Sequence, residues 1–202
     1  PDRGHDKFTP LQQAMAYTMS SVLTTGGIRG GKNQADRFQP RSFNMGISRE
    51  VYQQTGGFHF DRLAEDIELS IRMRKAGFRV VLIPDAFVYH KRRSTLREFF
   101  RQVNGFGRGR IRVGRAHNGE VKITHWFPTV FTLGLIVLPV TAILASFAAV
   151  AFATAFGLYF FAILVDAWRV TGSARVAWLS VPSAFVQLTG YGLGFLSEVL
   201  KR

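Results

Sequence analysis

Apolar residues are spread unevenly along the chain, and the change falls near His125-Trp126. From Phe127 to Leu200 the only charged side chains are Asp166, Arg169, Arg175 and Glu198. Residues 128–168 form an almost unbroken apolar run, about twice the roughly 20 residues that a membrane-spanning helix needs. Two spans are predicted there, with a tight turn between Ser146 and Val150. Asp166 is costly in lipid and is expected to snorkel or to pair with Arg169. A further apolar run, Val176 to Leu200, follows the polar break Thr171-Gly172-Ser173-Ala174-Arg175. Its Gly190, Gly192 and Gly194 permit either close helix packing or a break. The predicted membrane region therefore has two to three spans, and the third helix is either spanning, bent or interfacial.

Before the boundary the apolar positions recur at short, changing periods. Residues 11–24 read as a helix. The run Gly26-Gly27-Ile28-Arg29-Gly30-Gly31 ends it and reads as a connector, because a phosphate-cradling loop needs a strand before it. Residues 42–47 (SFNMGI) read as a strand. Ser48 is placed to cap the short helix REVYQQT, which Gly56-Gly57 terminates. A helix is predicted from Ala64 to Gly77, with acids in its first turn and bases in its last, as the helix dipole favours. Strands are predicted over 78–83 and 86–90 around a Pro84-Asp85 turn. Ser94 is placed to cap a helix running to about Val103, with Phe99, Val103 and Phe106 on one face.

Charge adds an orientation. The chain has a formal net charge of +13, and the stretch from Lys91 to Lys122 carries ten Lys or Arg against two acids. Basic residues directly before a span mark the cytoplasmic side. They also predict a helix lying at the membrane surface. Nucleic acid is not needed to account for them. With no cysteine, disulfide frameworks, thiolate metal sites and cysteine nucleophiles are excluded. The first residues carry no apolar core of a signal peptide, and a start at Pro1 reads as that of a fragment.

Glu65-Asp66 is the pair with chemical potential. At a helix start two acids can simply complement the dipole. A carboxylate can also take the proton from a hydroxyl nucleophile. The order of surrounding features is specific: Gly56-Gly57-Phe58, then Glu65-Asp66, then Gly77, a strand, Pro84-Asp85, and a strand ending in His90. From about Phe43 to Arg112 the chain resembles the family 2 glycosyltransferases of GT-A type. FNMGISREVYQQTGGF resembles the segment that precedes their catalytic acid. AEDIELSIRMRKAGFRVVLIPDAFVYH resembles their Glu-Asp motif with the helix and strands that follow it, with Ala64 where cellulose synthases carry Thr.

The resemblance implies an α/β fold class: the C-terminal part of a GT-A, Rossmann-like domain (residues 1–93), a basic amphipathic interface segment (94–126) and an α-helical membrane region (127–202). It implies sugar transfer from a nucleotide-sugar donor to a glycan or lipid-linked acceptor at the cytoplasmic face of the inner membrane. Asp66 would be the general base of an inverting displacement, and Glu65 would orient the acceptor or favour the helix start. His90 has two readings: a ligand to Mg²⁺ or Mn²⁺, or a strand-end side chain bonded to backbone. The main metal ligands would belong to an Asp-x-Asp motif N-terminal to this chain. Gln102 matches the first position of the Gln-x-x-Arg-Trp motif of processive synthases, while Gly105 and Phe106 depart from it. Arg108 and Arg110 are candidates to meet a diphosphate leaving group; alone, each also reads as a positive-inside anchor. A processive polysaccharide synthase and a non-catalytic basic membrane module are the alternatives.

Overall fold

The computed structural model describes residues 2–3, 5, 7–26, 39–83, 85–144 and 146–201. Its elements in chain order are β1 (Asp2–Arg3), α1 (Pro10–Ser20), α2 (Val22–Thr25), a 3₁₀ turn (Ser42–Asn44), α3 (Arg49–Thr55), α4 (Glu65–Lys75), β2 (Val88–Tyr89) and α5 (Leu96–Ala116). A second 3₁₀ turn (Ile123–Trp126) leads into α6 (Phe127–Leu144), α7 (Ser146–Thr171) and α8 (Ala174–Val199).

Local chemistry explains most of the boundaries. Thr9 and Gln12 make a reciprocal capping box around Pro10 at the start of α1. Ser48 accepts from the Val51 N–H at 3.2 Å and caps α3 as the sequence predicts. Gly56, at φ 72°, ends that helix in the left-handed conformation. Of the expected glycine connector, only Gly26 lies within the described residues; it ends α2 at φ 61°.

The expected strands are largely replaced. Ser42–Asn44 is a 3₁₀ turn, and residues 78–83 run without ladder partners. Pro84 of the expected turn lies outside the described residues. Among the described residues the sheet consists of one parallel pair, β1 with β2, in which Asp2 faces Val88 and Arg3 faces Tyr89. A strand forms only where a neighbour supplies the opposite hydrogen bonds, and β1 is the neighbour present. Val81 and Ile83 remain 65% and 61% exposed beside it.

Two further departures concern helices. The one expected to end near Val103 continues to Ala116 and is capped by Thr95, not Ser94, in a box with Glu98. Its glycines are tolerated because they let it approach other backbone closely. A Cβ on Gly107 would collide with the Tyr191 carbonyl, and one on Gly194 of α8 with the Asn104 carbonyl. Asn104 Nδ2 also donates to the Gly190 carbonyl at 3.1 Å. The glycines of α8 thus serve packing, and α8 is unbroken from Ala174 to Val199. The second departure is in the hairpin: residues 146–150, where the turn is expected, are helical as the start of α7, and Ala145 lies outside the described residues.

α8 is the hub: α5, α1, α6 and α7 all pack on it, α5 most extensively. Tyr17, Ile163, Ala167, Ala177 and Ala184 form one core, and Met15, Met19, Phe99 and Val103 another. The apolar face of α5 is therefore spent on α8 and α1. The hairpin is different. Ile123–Leu144 and Phe147–Thr171 are long and apolar enough to cross a membrane, and their most apolar windows are only 22% and 6% buried. A bare apolar surface of that extent suits lipid rather than water. Asp166 on α7 does not pair with Arg169. It accepts from the Tyr17 hydroxyl at 2.5 Å and from Ser21 at 3.4 Å, which fastens α1 to the hairpin. Only tertiary folding brings Tyr17 within reach, across 149 residues of sequence.

Candidate active site

α4 carries the two acids on its first turn and lacks a side-chain cap, since the capping position is Ala64. Asp66 fills part of that role itself: Oδ1 accepts from the Ile67 N–H at 2.8 Å. The residue is only 9% exposed. Its Oδ2 stands 3.7 Å from Arg41 Nη1, so a guanidinium lies beside the carboxyl group. Glu65 Oε1 accepts from the Ser42 hydroxyl at 3.2 Å.

The 41–44 turn therefore reaches both acids. It also reaches the segment that ends in His90. The Phe43 and His90 rings stack with centroids 4.1 Å apart and planes 15° apart, and Asn44 Nδ2 donates to the Ala86 carbonyl at 3.2 Å. Asp66, Glu65 and His90 are thus brought around one short turn. Arg41 is the member that sequence reasoning missed. Its only sequence signal is a place next to the Ser42-Phe43-Asn44 run.

Behind the acids, α4 is locked in place. Glu68 is 3% exposed. It accepts from Arg72 Nε at 2.7 Å and Nη2 at 2.8 Å, and pairs with His117 Nε2 at 3.1 Å. Burial pushes the Glu68 carboxyl upward, but the hydrogen bonds from Arg72 and His117 win and hold it below the ordinary carboxylate value. Arg72 also donates to the carbonyls of Thr55 and Gly57, tying α4 to the end of α3. Lys75 Nζ lies 3.1 Å from His117 Nδ1. Lysine can only donate there, so Nδ1 accepts and the Nε2–H donates to Glu68.

The α5 candidates sit apart from the acids. Arg108 Nε donates to Glu198 Oε2 at 3.1 Å, and Arg112 Nε donates to Oε1 at 2.9 Å. Arg115 donates to the Glu198 carbonyl at 2.7 Å. Burial raises the Glu198 carboxyl, but Arg112 and Arg108 overcome this and pull it down to about 2. Gln102 and Arg110 are half-buried on α5. Among the described residues neither bonds to Glu65 or Asp66. A cleft of about 440 Å³ opens between His59, Phe60, Asp61 and the α5 residues Arg112, Arg115 and Ala116.

Chemically, the turn of 41–44 and the start of α4 make a partly buried carboxylate with a guanidinium beside it and a second carboxylate next to it. That arrangement can accept a proton from a hydroxyl group and hold a polar acceptor. It does not make a metal site: among the described residues no three His, Asp or Glu side chains converge to hold an ion.

The model of glycosyl transferase family group 2 matches residues 42–165, more than half of the chain. The chain belongs to this family. The match takes in the Ser42 turn, both acids, α5, α6 and most of α7. The chain is 26% identical over 123 residues to a succinoglycan biosynthesis protein, ExoA, of Rhizobium meliloti, covering 60% of this chain and 37% of that protein. It is 32% identical over 66 residues to a probable glycosyltransferase, YdaM, of Bacillus subtilis, covering 33% of this chain and 16% of that protein. The chain thus spans well under half the length of these relatives. No solved structure matches it.

Proposed function

We propose that the protein carrying this chain transfers a hexosyl group from a nucleotide-sugar donor to a glycan or lipid-linked acceptor, at the cytoplasmic face of a membrane. Asp66 is the general base that takes the acceptor proton as the new bond forms at the anomeric carbon, with inversion. Glu65 orients the acceptor, and Arg41 holds the Asp66 carboxylate in place between turnovers. The observation that carries this reading is the buried Asp66 at the start of α4, beside Arg41 and Glu65, inside the segment matched by the family. The relative that bears the name of succinoglycan biosynthesis supports a role in polysaccharide assembly.

Residues 78–83 and β2 are proposed to join a larger GT-A sheet in the intact protein, and the α6–α7 hairpin to anchor it as a multi-pass protein. Gln102 and Arg110, which Glu198 does not occupy, are the α5 groups proposed to approach the diphosphate. Arg108 reaches it only by leaving Glu198. The family resemblance implies Mg²⁺ or Mn²⁺ at the diphosphate. The described residues do not fit such an ion by themselves.

Asp66→Asn in the intact protein tests the reading. Loss of a positioned base is expected to slow sugar transfer by about 10²–10⁴-fold, with membrane integration unchanged. Turnover near that of the parent rules Asp66 out as base.

A further inference from the structure

α5 packs against two elements at once, and its glycines divide between them. Gly107 faces the backbone of α8. Gly105 and Gly109, one helical turn apart, face the loop that leads into α4. A Cβ on Gly109 would stand 3.0 Å from the Ala64 Cβ and 3.5 Å from the Leu63 carbonyl carbon; one on Gly105 would stand 3.1 Å from Leu63 Cδ2.

The loop that meets these glycines is under backbone strain. Arg62 and Ala64 adopt left-handed conformations, at φ 60° and 62°. Neither is glycine, and such conformations persist only where surroundings hold them. Ala64 is also the capping position of α4 and supplies no side-chain cap, so the direction of the first turn depends on this loop. Glu65 and Asp66 are the next two residues.

We propose that Gly109, together with Gly105, is a positioning residue for Asp66. The bare glycine face of α5 is the seat on which Leu63 and Ala64 rest, and the seat sets where the Asp66 carboxylate stands. Because the same helix is clamped to α8 through Gly107, and α8 packs on the hairpin, the seat also ties the acid to the membrane-embedded part. This inference rests on the reading of Asp66 as the base.

The test compares Gly109→Ala with the parent in the intact, membrane-integrated protein. Alanine is the better helix former, so a merely local helical role predicts equal or higher thermal stability and unchanged turnover. A positioning role predicts that kcat falls by about tenfold or more, as small misplacements of catalytic groups do. The apparent KM for the donor should stay within about twofold. Adding Ala64→Gly removes the opposing Cβ and should restore most of the lost kcat.

Unchanged kcat in Gly109→Ala overturns the proposal, as does a loss that Ala64→Gly leaves unrescued. Should Gly109→Ala fail to accumulate in membranes, Gly105→Ala is read in its place, with Leu63→Ala as the rescue, and the same outcomes decide. Asp66→Asn run alongside separates the two claims. An active Asp66→Asn sinks the base reading; an inactive Asp66→Asn beside a fully active Gly109→Ala sinks the seat alone.

Discussion

α7 and α8 are each 26 residues long and mostly apolar, yet they meet opposite surroundings. On α7, Phe147, Leu158 and Phe161 stand 86%, 65% and 62% exposed, whereas on α8, Ala184, Leu188 and Phe195 are fully covered. The difference lies in the small residues. A Cβ on Gly190, Gly192 or Gly194 of α8 would strike a neighbouring element, while one on Gly157 of α7 would meet nothing within 4 Å. Glycine on α8 is a means of close approach, and α5 and α6 take it up. α7 offers its large side chains outward and leaves most of its surface bare, as suits a helix in lipid. Apolar content alone therefore does not identify the helix that faces the bilayer; the presence of packed partners does.

The largest expected effect separates the two helices directly. Leu158→Arg puts a charge near the middle of α7, at a cost of about 2.5–3.5 kcal/mol for insertion. A carbonate extraction assay should then show a clear loss of integrated protein. Leu193→Arg, on a partly exposed position of α8, should leave integration near the parent level. Equal losses from both would mean that α8 faces lipid as α7 does.

Close packing predicts the next effect. Gly194→Ala forces α8 away from Asn104, and overpacking of this kind costs about 1–3 kcal/mol. Gly157→Ala meets open space and should gain up to about 1 kcal/mol from helix propensity. Thermal unfolding of the two variants in detergent should move in opposite directions.

A charge clamp holds the same α5–α8 contact. The folded Glu198 carboxyl, at about 2, lies below its ordinary 4.5. Its stabilisation is therefore complete above the ordinary value and is lost as pH falls from about 4.5 through about 2. Arg108 and Arg112 are about a third exposed, so screening reduces the contribution to about 1–2 kcal/mol. Glu198→Gln should lower the melting temperature at pH 7 and flatten its dependence on pH across that window.

The smallest effect belongs to the contact between α1 and the hairpin. Tyr17→Phe deprives Asp166 of its short hydrogen bond and should cost about 1 kcal/mol. Limited proteolysis should then cut α1 sooner than in the parent.

The extent to which each feature was legible in the sequence follows its physical range. Ser48 capping α3, the acids and bases at the two ends of α4, and the glycines Gly56 and Gly77 that follow these two helices were all readable, because caps and dipoles act over one turn. The two apolar spans were readable because they need only length and composition. The strands at 42–47 and 78–83 were not, because a strand is defined by a partner and the only partner among the described residues is β1. The acids of the candidate site were visible through their order in a known family pattern, while Arg41 was not, since nothing local requires an arginine before Ser42.

By itself the sequence determined the start and end of α3, the apolar hairpin, and the acid pair at the head of α4. These depend on hydrogen bonds and solvation within a few residues of chain. The tertiary structure alone decided that α5 runs on to Ala116 through its glycines, that Glu198 takes Arg108 away from the acids, and that Tyr17 meets Asp166. It also decided that Arg41 stands beside Asp66. Each of these depends on a group distant in sequence, whose approach costs chain entropy that only the packed fold repays.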